Sequence, residues 1–83
     1  MADVTYYVAL PFFADDTGVP IAGAAEECQS SSTALRRAEI LSRVAGHIGA
    51  IAFSRTGDPM MGEFRDARLL RKFGDVPEDL SEL

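Results

Sequence analysis

The sequence predicts an α+β fold, a ββαββ arrangement in which an antiparallel four-stranded sheet carries one covering helix. Three observations point there: a long strand-like run from Val4 to Phe13, an amphipathic segment from Ala34 to Ala45, and a second apolar run from Ile48 to Phe53 with another element, Glu63 to Phe73, beyond a short loop. The 83 residues hold one domain, because a second core would need roughly 50 more. We place that domain at residues 1–76, followed by an acidic tail, 77–83, expected to fray. With 47% apolar and 25% charged residues, the composition excludes intrinsic disorder and collagen-like repeats.

In the first run, Val4, Tyr6, Val8, Leu10 and Phe12 lie on one side of an extended strand, and Thr5, Tyr7, Ala9 and Phe13 on the other. Aromatic and branched residues suit a strand, and since both sides are largely apolar, neither is patterned for water. Asp15-Asp16-Thr17-Gly18 reads as a turn in which Gly18 can take a positive φ, leading to a weaker extended stretch from Val19 to Cys28. The pair forms a hairpin.

Ser30, Ser31, Ser32 and Thr33 offer N-caps for the helix that follows. At about 100° per residue, Ala34, Ala38, Leu41 and Ala45 form an apolar stripe flanked by Leu35 and Val44, while Arg36, Glu39, Arg43 and His47 face away. The small residues of this stripe let the helix sit close to a sheet. Glu39 precedes Arg43 by four residues, the favourable order for a surface pair, and Gly46 is placed to end the helix.

Ile48 to Phe53 reads as a central strand, broken by Thr56-Gly57-Asp58-Pro59. Two principles then conflict over Glu63 to Phe73. Glu63 and Asp66 early, Arg71 and Lys72 late, and Gly74 just beyond would suit a helix dipole and its cap. A strand, however, would pair with Ile48 to Arg55 and give four strands that one helix can cover. We read a strand and keep the helix as the alternative. Pro77 can start a last turn using Leu80 and Leu83.

Charge is segregated along the chain. Residues 1–30 carry five acidic groups and no Lys or Arg; residues 31–74 carry all eight basic groups against Glu39, Asp58, Glu63 and Asp66; residues 75–83 add four acidic groups. Acidic and basic segments are therefore expected to face each other, within the fold or between copies.

Few residues carry chemistry. Cys28 is the only cysteine and His47 the only histidine, and no paired-ligand spacing is present, so no disulfide, metal site or cofactor is expected. Gly57 and Gly62 have the spacing of a phosphate loop, but Glu63 and Phe64 follow where Lys and Ser or Thr would be needed. His47 is expected at the helix end, where an imidazolium meets carbonyl dipoles. Neither Ser54 nor the serines at 30–32 sit in a G-x-S-x-G elbow. Glu26 and Glu27 disfavour the Cys28 thiolate, whereas the nearby helix start favours it. No catalytic residue is assigned. No apolar run is long enough to cross a bilayer and the first residues lack a basic leader, so the chain is expected in the cytoplasm, away from membranes.

Arg65, Arg68, Arg71 and Lys72 form the densest basic run. A sequence pI near 4.6 argues against nucleic acid and for an acidic protein partner or plain solvation. Met60 and Met61, flexible thioethers in a loop, join them as candidate partner contacts. One helix covers only one sheet face, so the other is expected to be buried against a second copy through Tyr7, Ala9 and Phe13. The functional expectation is a non-catalytic protein-interaction module acting as a small homodimer. Two alternatives remain: a small dimeric enzyme with an inter-subunit site built from His47, Asp58 or Glu63, and nucleic-acid binding through residues 65–72.

Ala52-Phe53-Ser54-Arg55-Thr56-Gly57-Asp58, Gly62-Glu63-Phe64 and Phe73-Gly74-Asp75-Val76-Pro77, after a strand containing Tyr6-Tyr7-Val8, resemble a group of small uncharacterised alphaproteobacterial proteins, a domain of unknown function, over most of the chain. The resemblance implies a bacterial source and a strand for the last element, and it implies no activity.

Overall fold

Strand pairing decides the conflict left by the last element. The computed structural model describes residues 3–77, in the order β1 (Val4–Ala14), β2 (Pro20–Ala22), β3 (Glu26–Cys28), α1 (Ser31–Ser42), β4 (Gly49–Asp58), β5 (Glu63–Phe64) and β6 (Arg68–Gly74). Apart from Pro77, the tail and its turn at Leu80 and Leu83 lie outside the described residues. Residues 63–74 are extended, not helical: β6 runs antiparallel to β4 from Ser54↔Arg68 to Gly49↔Gly74. The helical cues there are local and weak, a few tenths of a kcal/mol each, and the ladder with β4 outweighs them.

β1 and β4 pair along nine residues, from Val4↔Gly57 to Phe12↔Gly49, forming the centre of the sheet. The outer strands are each interrupted. β2 and β3 both pair with β1 on one side, while β5 and β6 both pair with β4 on the other. Six ladder segments thus act as four antiparallel strands, the expected ββαββ sheet, curled as a half-barrel.

Some boundaries differ from expectation for identifiable reasons. β4 continues through Thr56-Gly57-Asp58, expected as a break, because Gly57 is a strand residue there: a Cβ at Gly57 would overlap the Glu63 carbonyl, so only glycine lets β5 approach. The helix starts at Ser31, since Ser30 is the N-cap and its Oγ accepts from the Thr33 N–H at 3.2 Å. It stops at Ser42, short of Ala45. The Arg43 N–H returns to the Ile40 carbonyl, and His47 Nδ1 donates to the Leu41 carbonyl at 2.8 Å, so the last turn is closed before Gly46. Gly46, at φ 92°, shapes the turn that follows and is not the cap.

Each sheet face has its own cluster. Beneath the helix, Ala9, Ala50 and Ala52 meet Ala34, Ala38 and Leu41, with Tyr7, Cys28, Leu35, Leu70 and Phe73 at the margin. On the reverse, Leu10, Phe12, Ile51 and Phe53 pack together, joined by Val8, Ile48, Ala67 and Val76. The assignment of Tyr7, Ala9 and Phe13 to a dimer interface is therefore corrected. Ala9 is 0% exposed in the helix-side cluster, Tyr7 packs beside it, and Phe13 is half exposed at the β1–β2 hairpin. The face without a helix is that of Tyr6, Val8, Leu10 and Phe12, and it is partly closed from within the chain, by Ile48 and Val76 at its lower end and by Ala67 beside Phe53.

Charge segregation also takes shape. Arg37 of the helix grips Glu26 of β3 with two hydrogen bonds at 2.9 and 3.2 Å, and Arg65 reaches Asp3 at 3.3 Å. Glu39 and Arg43 approach to only 3.9 Å on the helix surface, a weak contact.

Candidate functional site

Two concave regions flank the upper half of β1 and β4, one on each face. On the helix side, α1 begins partway along the sheet, so the strand ends beyond its N-terminus have no roof. Thr5 and Tyr7 of β1 and Ser54 and Thr56 of β4 line a hollow of about 440 Å³, bounded by Ser31 at the start of the helix, by Leu70, and by Arg65, Asp66 and Arg68 between β5 and β6. Alternation places these strand residues on one face, and the irregular register between Ala52 and Phe53 turns Leu70 toward the helix as well. The Thr5 and Thr56 hydroxyls hydrogen-bond each other at 2.8 Å. Ser54 is only 9% exposed and lines this hollow from β4.

On the reverse face, Tyr6, Val8, Phe53 and Phe64 floor an open apolar groove of about 400 Å³ whose rim carries Glu27 and Arg55. Tyr6 and Phe64 stack at a tilt with ring centroids 6.0 Å apart. Arg55 Nε is buried and unpaired. A guanidinium without an acceptor is an incompletely satisfied group, and a carboxylate brought to this rim would complete it.

The basic run does not form one surface. Arg65 and Arg68 border the helix-side hollow, Arg71 lies over the Phe73 ring at 5.3 Å, and Lys72 pairs opposite Ile51 and so turns to the reverse face. Met60 and Met61 project from the β4–β5 turn, 92% and 68% exposed, where Asp58 Oδ1 accepts from the Met60 N–H at 2.9 Å.

The residues considered for catalysis are dispersed. His47 caps the carbonyl end of α1 next to the start of β4, whereas Asp58 closes β4 and Glu63 opens β5. About 30 Å of strand separates these ends within one chain. Asp58 and Glu63 border a recess of about 300 Å³ with Asp3 and Arg65. Among the described residues no three His, Cys, Asp or Glu side chains cluster as metal ligands. Burial pushes the Cys28 thiol up, and the Glu26 carboxylate adds to the shift, so the helix start does not make it a thiolate. Among the described residues no helix is long and apolar enough to cross a membrane.

The sequence reading missed the hollow. Its residues come from β1, β4, α1 and the β5–β6 connection, and only strand register brings them together. The one local signal was the polar Ser54 and Thr56 on the same side of β4 as Ala50 and Ala52, which marks where the helix stops covering that face. No family model, curated protein or solved structure matches this chain.

Proposed function

We propose that this chain is a non-catalytic protein-interaction module that acts as a small homodimer in the cytoplasm, two copies joining through the reverse face of the sheet. The apolar groove over Tyr6, Val8, Phe53 and Phe64 carries this reading, because its rim holds opposite charges, Glu27 and Arg55, and a two-fold axis can set each against the other. Leu69 and Val4, both partly exposed on that face, extend the apolar area. The Met60–Met61 turn and the arginines of the helix side, Arg65, Arg68 and Arg71, then remain free to meet an acidic protein surface, with Lys72 at the edge of the joined face.

Sedimentation equilibrium at micromolar concentration tests this. The mass should be near twice 9.0 kDa. Leu69→Lys, which places a charge on the exposed apolar area of that face at a residue of neither core cluster, should return it to the single-chain mass with an unchanged circular dichroism spectrum. A wild-type chain that sediments as a monomer throughout the micromolar range overturns the reading.

A further inference from the structure

Arg55 stands apart from the other cations of this chain. Arg37 shows how a guanidinium is satisfied here: its Nε and Nη2 hold the two oxygens of Glu26, at 2.9 and 3.2 Å. Arg43 and Arg65 have Glu39 and Asp3 within ion-pair reach, and Arg71 rests on the Phe73 ring. Arg55 keeps its Nε buried with no acceptor, and no other buried side-chain nitrogen or oxygen among the described residues lacks a partner. A charged donor shut away from water without an acceptor is costly, and an anion at this position removes the cost.

The nearest carboxylates do not supply that anion. Asp66 lines the hollow on the other face of the sheet. Glu27 shares the groove with Arg55, but it pairs opposite Val8 on one side of β1 while Arg55 pairs opposite Tyr6 on the other. It is therefore two strands away, about 10 Å across the sheet. Between them lies the floor of Tyr6, Val8, Phe53 and Phe64, three of the four aromatic, with the Tyr6 and Phe64 rings tilted 6.0 Å apart. A cation at one end of an apolar trough of about 400 Å³ is the arrangement that receives an apolar molecule with one charged end.

We propose that this groove binds an apolar monocarboxylate, its ring or chain lying on Tyr6, Val8, Phe53 and Phe64 and its carboxylate taken by Nε and one Nη of Arg55, as Arg37 takes Glu26. The planar two-oxygen group matches the side of a guanidinium, and one arginine neutralises its single charge. A phosphate dianion leaves a net charge over an apolar floor, and Glu27 at the opposite rim repels a second carboxylate on the ligand. The same surface joins the copies in the homodimer, where Arg55 faces the Glu27 of the second copy. Ligand and second copy therefore exclude each other, a consequence that rests on the homodimer reading: a carboxylate that occupies Arg55 releases the dimer.

The experiment is a titration of the full chain with 4-phenylbutyrate at about pH 7, where the ligand is ionised. It is followed by amide chemical shifts and by the arginine Nε–H signals, with 4-phenylbutanol and 4-phenylbutylamine as neutral and cationic arms. Saturable shifts at Val8, Phe53 and Phe64 are expected, with the Arg55 Nε–H moving downfield while that of Arg37 stays in place. The alcohol should bind about tenfold more weakly, the loss of one charged hydrogen bond, and the amine more weakly still. Arg55→Gln should bring the carboxylate to the affinity of the alcohol, and since the Nε–H signal is read in the wild-type chain, the test does not depend on that variant folding. No saturation below about 10 mM, equal affinity for the alcohol, or an Arg55 signal that does not move would each overturn the site. Sedimentation of the same samples should fall from twice the chain mass to once as the carboxylate saturates. A dimer that persists with ligand bound overturns the competition, whereas a chain that is monomeric without ligand and still binds the carboxylate overturns the homodimer and leaves the site standing.

Discussion

The two faces of one sheet solve the same problem with opposite materials. Toward the helix, β1 and β4 present alanines, Ala9, Ala50 and Ala52, against Ala34 and Ala38; toward the reverse they present Leu10, Phe12, Ile51 and Phe53. Small side chains allow a helix backbone to approach closely, so that an element of only twelve residues covers its share of sheet. Large side chains fill a layer by themselves, with Ile48, Ala67 and Val76 as edge pieces. Both faces are apolar, and the difference between them is volume.

That difference can be attacked at two consecutive positions. Ile51 is the largest fully buried side chain and belongs to the reverse layer, while Ala52, next in sequence, lies under the helix. Ile51→Ala should lower stability by about 2–5 kcal/mol, the transfer energy of the lost methyl groups plus the cavity left behind. For a chain of this size that is a large fraction of the total. Urea unfolding followed by circular dichroism measures it, and a loss below about 1 kcal/mol would show that the reverse layer is loose instead of packed.

The second attack is additive in volume. Ala52→Leu should destabilise by about 1–3 kcal/mol, because the helix has no room to accept the longer side chain without moving off the sheet. The same urea experiment reads it. A neutral result would mean that the alanines are not in close contact, and the account of why this helix can be short would fall.

Residue size also marks how much the sequence disclosed. The helix was readable from its 3.6-residue period and its serine caps, and β1 from its aromatic and branched run. The strand at 63–74 required a tertiary argument, since local cues pointed to a helix and only the need to pair β4 favoured extension. Which side of β1 meets the helix was misassigned because polarity, the usual guide, is nearly equal on its two sides. The usable cue was that an alanine stripe on the helix matches the side bearing Ala9, as large residues could not. The helix-side hollow had no such cue beyond Ser54 and Thr56, because Arg68 comes opposite Ser54 only through a ladder whose register shifts two residues away.

If packing volume sets the sidedness of the sheet, weakening a turn should matter least. Asp15 organises the β1–β2 hairpin: its Oδ1 accepts from the Thr17 hydroxyl at 2.7 Å, the Thr17 N–H at 2.8 Å and the Val19 N–H at 2.9 Å. These hydrogen bonds, the Thr17 hydroxyl first among them, hold the Asp15 carboxyl below its ordinary value of 3.8. A folded pKa below the unfolded one means that the contribution is present above the ordinary value and is lost as pH falls through the lowered one. Carbon-detected titration should find Asp15 ionising at lower pH in the folded chain than in a peptide spanning Phe12 to Ile21, with the Thr17 and Val19 amide signals moving along the same curve. Asp15→Ala should then shift the urea midpoint less than either core substitution. A turn variant that unfolded the chain as readily as Ile51→Ala would show that the hairpin, and not the contrast in side-chain volume, holds the two faces in their places.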